Sequence, residues 1–145
     1  MKTLIKIVLL LLMSIEVNAQ HSYPDSLKQV LKNVTNDSAR FDISVKLATY
    51  YQEDKRDSAL YYCDKSLSIA KENNLFLDVA SSLDNKGYVL MHMGKLPQSL
   101  QCFLEAVKLA EDVNNENKTF YKKTKEKARL FRLYVLSNIH HDWGI

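Results

Sequence analysis

The residues best equipped for chemistry are few, and their spacing does not suit it. His92 stands between Met91 and Met93, and His140, His141 and Asp142 run consecutively near the end of the chain. A helical metal site needs ligands about one turn apart, as at i and i+4, and neither histidine group supplies a second ligand there. Cys63 and Cys102 are the only cysteines. Each falls in an apolar helical stretch, where a free thiol packs as a small hydrophobe, so both are expected in the core and not in a disulfide or a metal centre. No glycine-rich phosphate loop, nucleophile elbow or paired His–carboxylate spacing is found. The chain is therefore expected to have no catalytic residues, no metal, no cofactor and no enzymatic activity.

What the chain does carry is a self-match. Ser58 to Lys71 lines up with Gln98 to Glu111, 40 residues later, and each apolar or small residue at helical spacing in the first copy meets one in the second. A repeat at this period, built from helix formers, signals stacked helical hairpins, which bury a shared core and leave an extended surface for partners. Only three Gly and two Pro occur in 145 residues, too little punctuation for a strand-and-turn fold.

The expected elements follow from the apolar period and the breaks. A short helix opens at Tyr23-Pro24-Asp25-Ser26, with Leu27, Val30, Leu31 and Val34 on one face. The next helix spans Ser38 to Glu53. A polar turn, Asp54 to Asp57, leads into the first repeat copy, with Asp57 expected to cap it. Leu75 to Met93 is helical, and Gly94-Lys95-Leu96 turns. Pro97 then sits in the first turn of the following helix, where a missing amide is tolerated. Lys118 to about His141 reads as one long helix with a stripe of Phe120, Tyr121, Thr124, Ala128, Phe131, Tyr134 and Val135.

Compartment is read from the start. Lys2 and Lys6 precede an unbroken apolar run, Ile7 to Met13, and Val17-Asn18-Ala19 offers small residues for cleavage before Gln20. Residues 1–19 are thus expected to be a signal peptide, too short in its apolar run for the roughly 20 residues of a spanning helix. No integral membrane segment is expected after cleavage, and the product is expected to be periplasmic or secreted. The formal net charge of +3 is small and argues against wholesale nucleic-acid binding. It is unevenly placed: Lys118 to Arg132 holds seven basic residues against Glu126 alone, whereas Gln20 to Asn117 holds eleven basic against fourteen acidic. Three Asp-Ser-aliphatic matches, at Asp25, Asp37 and Asp57, fit a bacterial O-glycosylation signal, but each sits at an expected helix start, and capping is the preferred reading.

Leu83, Gly87, Leu90, Gly94, Ser99, Phe103 and Ala106 resemble the tetratricopeptide repeat (TPR) pattern, and Ala48, Tyr51, Ala59, Cys63 and Ser66 stand at the equivalent places one unit earlier. Ala48 to Ala59 is one residue shorter than Gly87 to Ser99, a difference assigned to the turn. The resemblance implies an all-α, right-handed TPR helical-hairpin solenoid. Two full repeats, 37–74 and 75–115, would be flanked by an N-terminal helix within 20–36 and by 116–145. That last segment reads as an incomplete third repeat or a capping helix, with Ala128 preferred at the small position. A narrower likeness, through Pro24 to Leu31, Asn36 to Ser38 and Leu47 to Tyr51, is to the extracytoplasmic TPR region of bacterial sensor histidine kinases.

In TPR arrays the first helix of each pair lines a concave groove. Carried onto this sequence, that implies partner-binding residues Asp42, Thr49, Gln52 and Glu53 from one unit and Asp84, Tyr88, Met91 and His92 from the next. The partner would be a protein or a peptide. The lysine and asparagine grip that some family members use for a C-terminal carboxylate is lacking here, so that ligand is not expected. The leading reading is an exported protein–protein interaction scaffold. The alternative is a truncated sensory input domain of a membrane-bound signal-transduction protein, a histidine kinase or transcriptional regulator, without its output domain. The last helix is expected either to cap the stack or to self-associate.

Overall fold

The computed structural model describes residues 23–121 and 125–144, and the expected signal peptide lies outside them. The chain divides into two compact units, the first ending at Val34 and the second beginning at Thr35. In the first, residues 23–33 form α1, steadied by the exposed pair Lys28–Asp25 at 3.0 Å. Asp25 and Ser26 lie inside this helix and do not serve as its cap.

The second unit is built from α2 (Asp37–Tyr51), α3 (Arg56–Glu72), α4 (Phe76–His92), α5 (Leu96–Glu111), a 3-10 turn (Val113–Asn115) and α6 (Lys125–Trp143). No strand occurs among the described residues. α2 packs on α3 and α4 on α5, giving two hairpins; α3 joins them by packing on α4, and α6 lies against both α4 and α5. This is the all-α repeat solenoid that the periodicity implies.

Local chemistry sets the helix ends. The Asn36 side chain accepts the Ala39 amide at 3.0 Å and starts α2. Beyond α3, Asn74 takes φ 55°; its amide reaches Lys71 O and the Leu75 amide reaches Ala70 O, both at 3.0 Å. Gly94 closes α4 in the same way at φ 74°, with amide bonds from Gly94 to Met91 O and from Lys95 to Leu90 O, each 2.9 Å. Both are left-handed closures that satisfy the last carbonyls, the second using the residue with no Cβ penalty. Asp57 is not the cap of α3: Lys55 holds that position without a side-chain bond, and Asp57 lies in the first turn. There its charge still meets the positive end of the helix.

Within the second hairpin the close approach is matched in volume. Gly87 lies against Phe103, where an added Cβ would stand 2.9 Å from the ring, and Ser99 Oγ donates to Gly87 O at 2.7 Å. In the first hairpin the positions equivalent in sequence are Ala48 and Cys63, both buried. The one-residue difference between hairpins is a balance of helix and turn. α2 ends three residues past Ala48 and α4 five past Gly87, while the turn after α2 (52–55) is one residue longer than the turn after α4 (93–95). Both thiols are free and buried, as expected of core residues. Burial foremost, then Asp64, pushes the Cys63 thiol up to about 12, so it stays protonated and unreactive.

The last segment departs from the expected single helix. Lys118 to Tyr121 is non-helical, because its polar groups are engaged elsewhere. Thr119 Oγ1 and the Phe120 amide both donate to Asp78, each at 2.7 Å, and Lys118 O accepts the Leu77 amide at 3.0 Å. α6 (Lys125–Trp143) buries Ala128, Arg132, Val135 and Ile139, and only Ala128 and Val135 of these belong to the expected stripe. Tyr134 is 60% exposed, while Arg132 is buried. Arg132 donates to Ala110 O at 3.0 Å and to Glu116 Oε1 at 3.0 Å. The first of these satisfies a carbonyl that the end of α5 leaves without an amide. Ala128, the residue preferred at the small position of a third unit, is buried on α6.

Gly87→Val is expected to lower the unfolding free energy by about 2 kcal/mol, since the Phe103 ring cannot retreat from a filled core. Combining it with Phe103→Leu should cost less than the sum of the two single changes. Chemical denaturation of the four proteins checks this, and an additive result would contradict the contact.

Candidate functional site

The positions expected to line a groove fall on or just after α2 and on α4, the first helices of the two hairpins. At the start of α2, Asp42 pairs with Lys46 at 2.7 Å. Thr49 is exposed, but its hydroxyl donates to Val45 O at 3.1 Å on its own helix, which leaves the oxygen able to accept from a partner. Gln52 is the C-cap residue of α2 and is half-buried. Glu53 follows it in the turn.

Glu53 meets the second hairpin. Tyr88 Oη donates to Glu53 Oε1 at 3.2 Å, tying α4 to the end of α2 across the repeat boundary. One turn later on α4, the His92 ring lies 4.4 Å from the Tyr88 ring. Tyr88 and Met91 are half-buried and His92 is exposed. Burial first, then the Glu53 charge, raises the Tyr88 phenol above its ordinary value, so it remains a hydrogen-bond donor at neutral pH. Asp84, one turn before Tyr88, is only 6% exposed. Its Oδ1 is buried without a hydrogen-bond partner.

A carboxyl group in that position resists ionisation. Burial chiefly, and then the charge of Asp142, pushes Asp84 up to about 7. Asp142 on α6 is itself raised by burial, while His141 and His92 pull it back. Next to it, the Trp143 ring lies 6.2 Å from Phe103, nearly parallel. The structure thus brings Glu53, Asp84, Tyr88 and His92 into one electrostatic neighbourhood and adds Asp142, which the reading of the sequence passed over as part of a fraying end. Asp42 and Thr49 stand apart from this group, since no bond joins them to it. Asp78 was also missed; its only signal was a carboxylate among Phe76, Leu77, Val79 and Ala80.

Groups of three or more His, Cys, Asp or Glu able to hold a metal ion are lacking among the described residues, and none of the described helices is long and apolar enough to cross a membrane. The arrangement offers an aromatic donor, an imidazole, a thioether and carboxylates along adjacent turns, a surface for recognition through hydrogen bonds and packing.

The two buried carboxyl groups set a pH dependence. Burial lifts Asp78 to about 6, although its bonds from Thr119 and Phe120 pull it down. Both groups lie above the ordinary 3.8, so the folded chain holds these protons more tightly than the unfolded one. Below about pH 4 the difference vanishes; as pH rises through 6 and 7 the folded state bears the cost of the buried charges and loses stability. The melting temperature should therefore fall between pH 5 and pH 8. Asp84→Asn should flatten much of that fall and raise the melting temperature at pH 8 by several degrees. An unchanged slope in thermal melts of the variant would contradict the burial argument.

The family whose model is described as the SusR N-terminal TPR domain matches residues 18–135, well over half of the chain. No curated protein and no solved structure matches the chain.

Proposed function

The chain belongs to the SusR N-terminal TPR domain family, and we propose that it is an exported scaffold that holds a partner protein or peptide in the groove between α2 and α4. A TPR fold carries no chemistry of its own. Its role is protein–protein interaction through surfaces that stacked helices keep rigid. The observation that supports the groove is the Tyr88–Glu53 bond across the repeat boundary at 3.2 Å, with Met91 and His92 presented beside it. A tyrosine held by its hydroxyl offers its ring at low entropic cost, and such residues anchor interfaces. Thr49, Gln52 and Asp42 extend the polar rim along α2, whereas Asp84 is buried and resists ionisation, so it presents no full charge to a partner.

Export rests on the basic start, the apolar run Ile7 to Met13 and the small residues before Gln20. It places the working protein in the periplasm or outside the cell. A second reading is an input domain of a membrane-bound signal-transduction protein. The description of the family as an N-terminal TPR domain supports it, because a domain at an N-terminus is followed by another part of its protein.

The test is a pull-down from envelope extract with protein beginning at Gln20, comparing the unaltered chain with Tyr88→Ala and His92→Ala. Each variant is expected to retain its helicity and lose roughly 2 kcal/mol of partner affinity, seen as depletion of the same captured proteins. Equal recovery by all three sinks the groove. N-terminal sequencing of the protein from the native host should begin at Gln20; an intact Met1 contradicts export by cleavage.

A further inference from the structure

Two carboxyl groups are buried on α4, and they are treated differently. Asp78 has both oxygens bonded, by Thr119 and by the Phe120 amide. Asp84 has its Oδ1 sealed from water with no hydrogen-bond partner. It sits mid-helix on α4, which buries ten residues and packs against α3, α5 and α6. A carboxyl group so placed is tolerated while it holds its proton and becomes costly once it ionises.

Its charged neighbour is another carboxyl group. Among the described residues, the charge that acts on Asp84 is that of Asp142, in the last turn of α6. Asp142 in turn feels His141 beside it and His92 on α4. Tyr88, one turn after Asp84, is bonded to Glu53 beyond α2 and feels Arg56 of α3. α5 brings the uncharged Phe103 ring against Gly87 and Trp143. The charges of Lys86, Glu105, Asp64 and Lys71 bear on Cys102 instead.

α6 is held at two places. Toward its start, Arg132 bonds to Ala110 O and to Glu116. Toward its end, Ile139 and Trp143 rest on the core, with the Trp143 ring 6.2 Å from Phe103. The acidic pair belongs to the second hold alone. We propose that this second hold is a latch worked by a proton on Asp84. With the proton in place, the last turn of α6 lies on α4 and Trp143 covers Phe103. When Asp84 gives its proton to water, a buried charge with an unpartnered oxygen faces a second carboxylate, and the turn carrying Asp142 and Trp143 leaves α4. α4 does not yield instead, because helices pack around it, and the Arg132 bonds keep the rest of α6 in place. The α4 face then shows a carboxylate and an aromatic ring that the closed form hides. Burial, and then Asp142, pushes Asp84 up to about 7, which sets the change in the neutral range: the latch is closed below it and weakens as pH rises through it. No partner in the groove is required.

Trp143 is the only tryptophan in the chain, so its emission reports on the latch. Between pH 5 and pH 9 that emission should move to the red, and its quenching by acrylamide should rise, as pH passes through about 7. Far-ultraviolet circular dichroism should lose no more than a single turn of helix. Asp84→Asn should keep the blue emission across the range. His92, His140 and His141 remain in that variant, so a transition that persists in it belongs to a histidine and overturns the proposal. Asp142→Asn removes the opposing charge and should give a smaller change than the parent; a change of full size overturns the proposal too. So does an emission that ignores pH, or a red shift that comes with loss of the helical signal, which is unfolding of the whole chain.

Discussion

Asp78 lies near the start of α4, 1% exposed, and both of its oxygens are occupied: one by the Thr119 hydroxyl, the other by the Phe120 amide. A carboxyl group so placed costs free energy unless it is fully hydrogen-bonded, and only the 118–121 segment supplies the donors. The constraint runs both ways, since those residues cannot be helical while their polar groups face Asp78. The connection after α5 becomes a strap laid across the start of α4, with the Phe120 ring 5.5 Å from Phe41 of α2.

Arg132 then fixes the orientation of α6. Its guanidinium reaches a carbonyl at the end of α5 and the Glu116 carboxylate, an ion pair largely shielded from water. Removing either partner would leave a buried charge alone, which is far more costly than the net worth of the pair. With Arg132 turned inward, Leu130 and Tyr134 must turn outward, since they lie two residues to either side on a helix of 3.6 residues per turn. The open apolar face of α6 is thus a geometric consequence of the pair. The same orientation brings the Asp142 charge to bear on Asp84. α6 therefore has two unlike flanks: one is buried against α4 and α5 and the other stays uncovered.

The two hairpins were legible because their information is local and repeated. Small residues at Ala48 and Gly87, partnered by Cys63 and Phe103, state a close helix approach twice, and turn residues such as Gly94 punctuate it. The expected groove positions were drawn from the same register, and of these the Tyr88 and His92 rings lie against each other on α4. The strap was not legible. Lys118 to Tyr121 contains no proline or glycine, so nothing in its own residues forbids a helix; a carboxylate 41 residues before Thr119 does. Asp142 was missed for a related reason, since a residue near a chain end takes its environment from whatever the last helix rests upon.

The amino-acid sequence alone determined the helical class, the hairpin unit and its period, and the small residues that let each pair of helices meet, because these depend on apolar spacing and side-chain volume within a few turns. Only the tertiary structure decided the path between α5 and α6, which face of α6 is buried, and which carboxylates face one another. Those outcomes depend on satisfying individual buried polar groups, and the partners of Asp78, Asp84 and Arg132 are brought together by the completed fold and not by their separation along the chain.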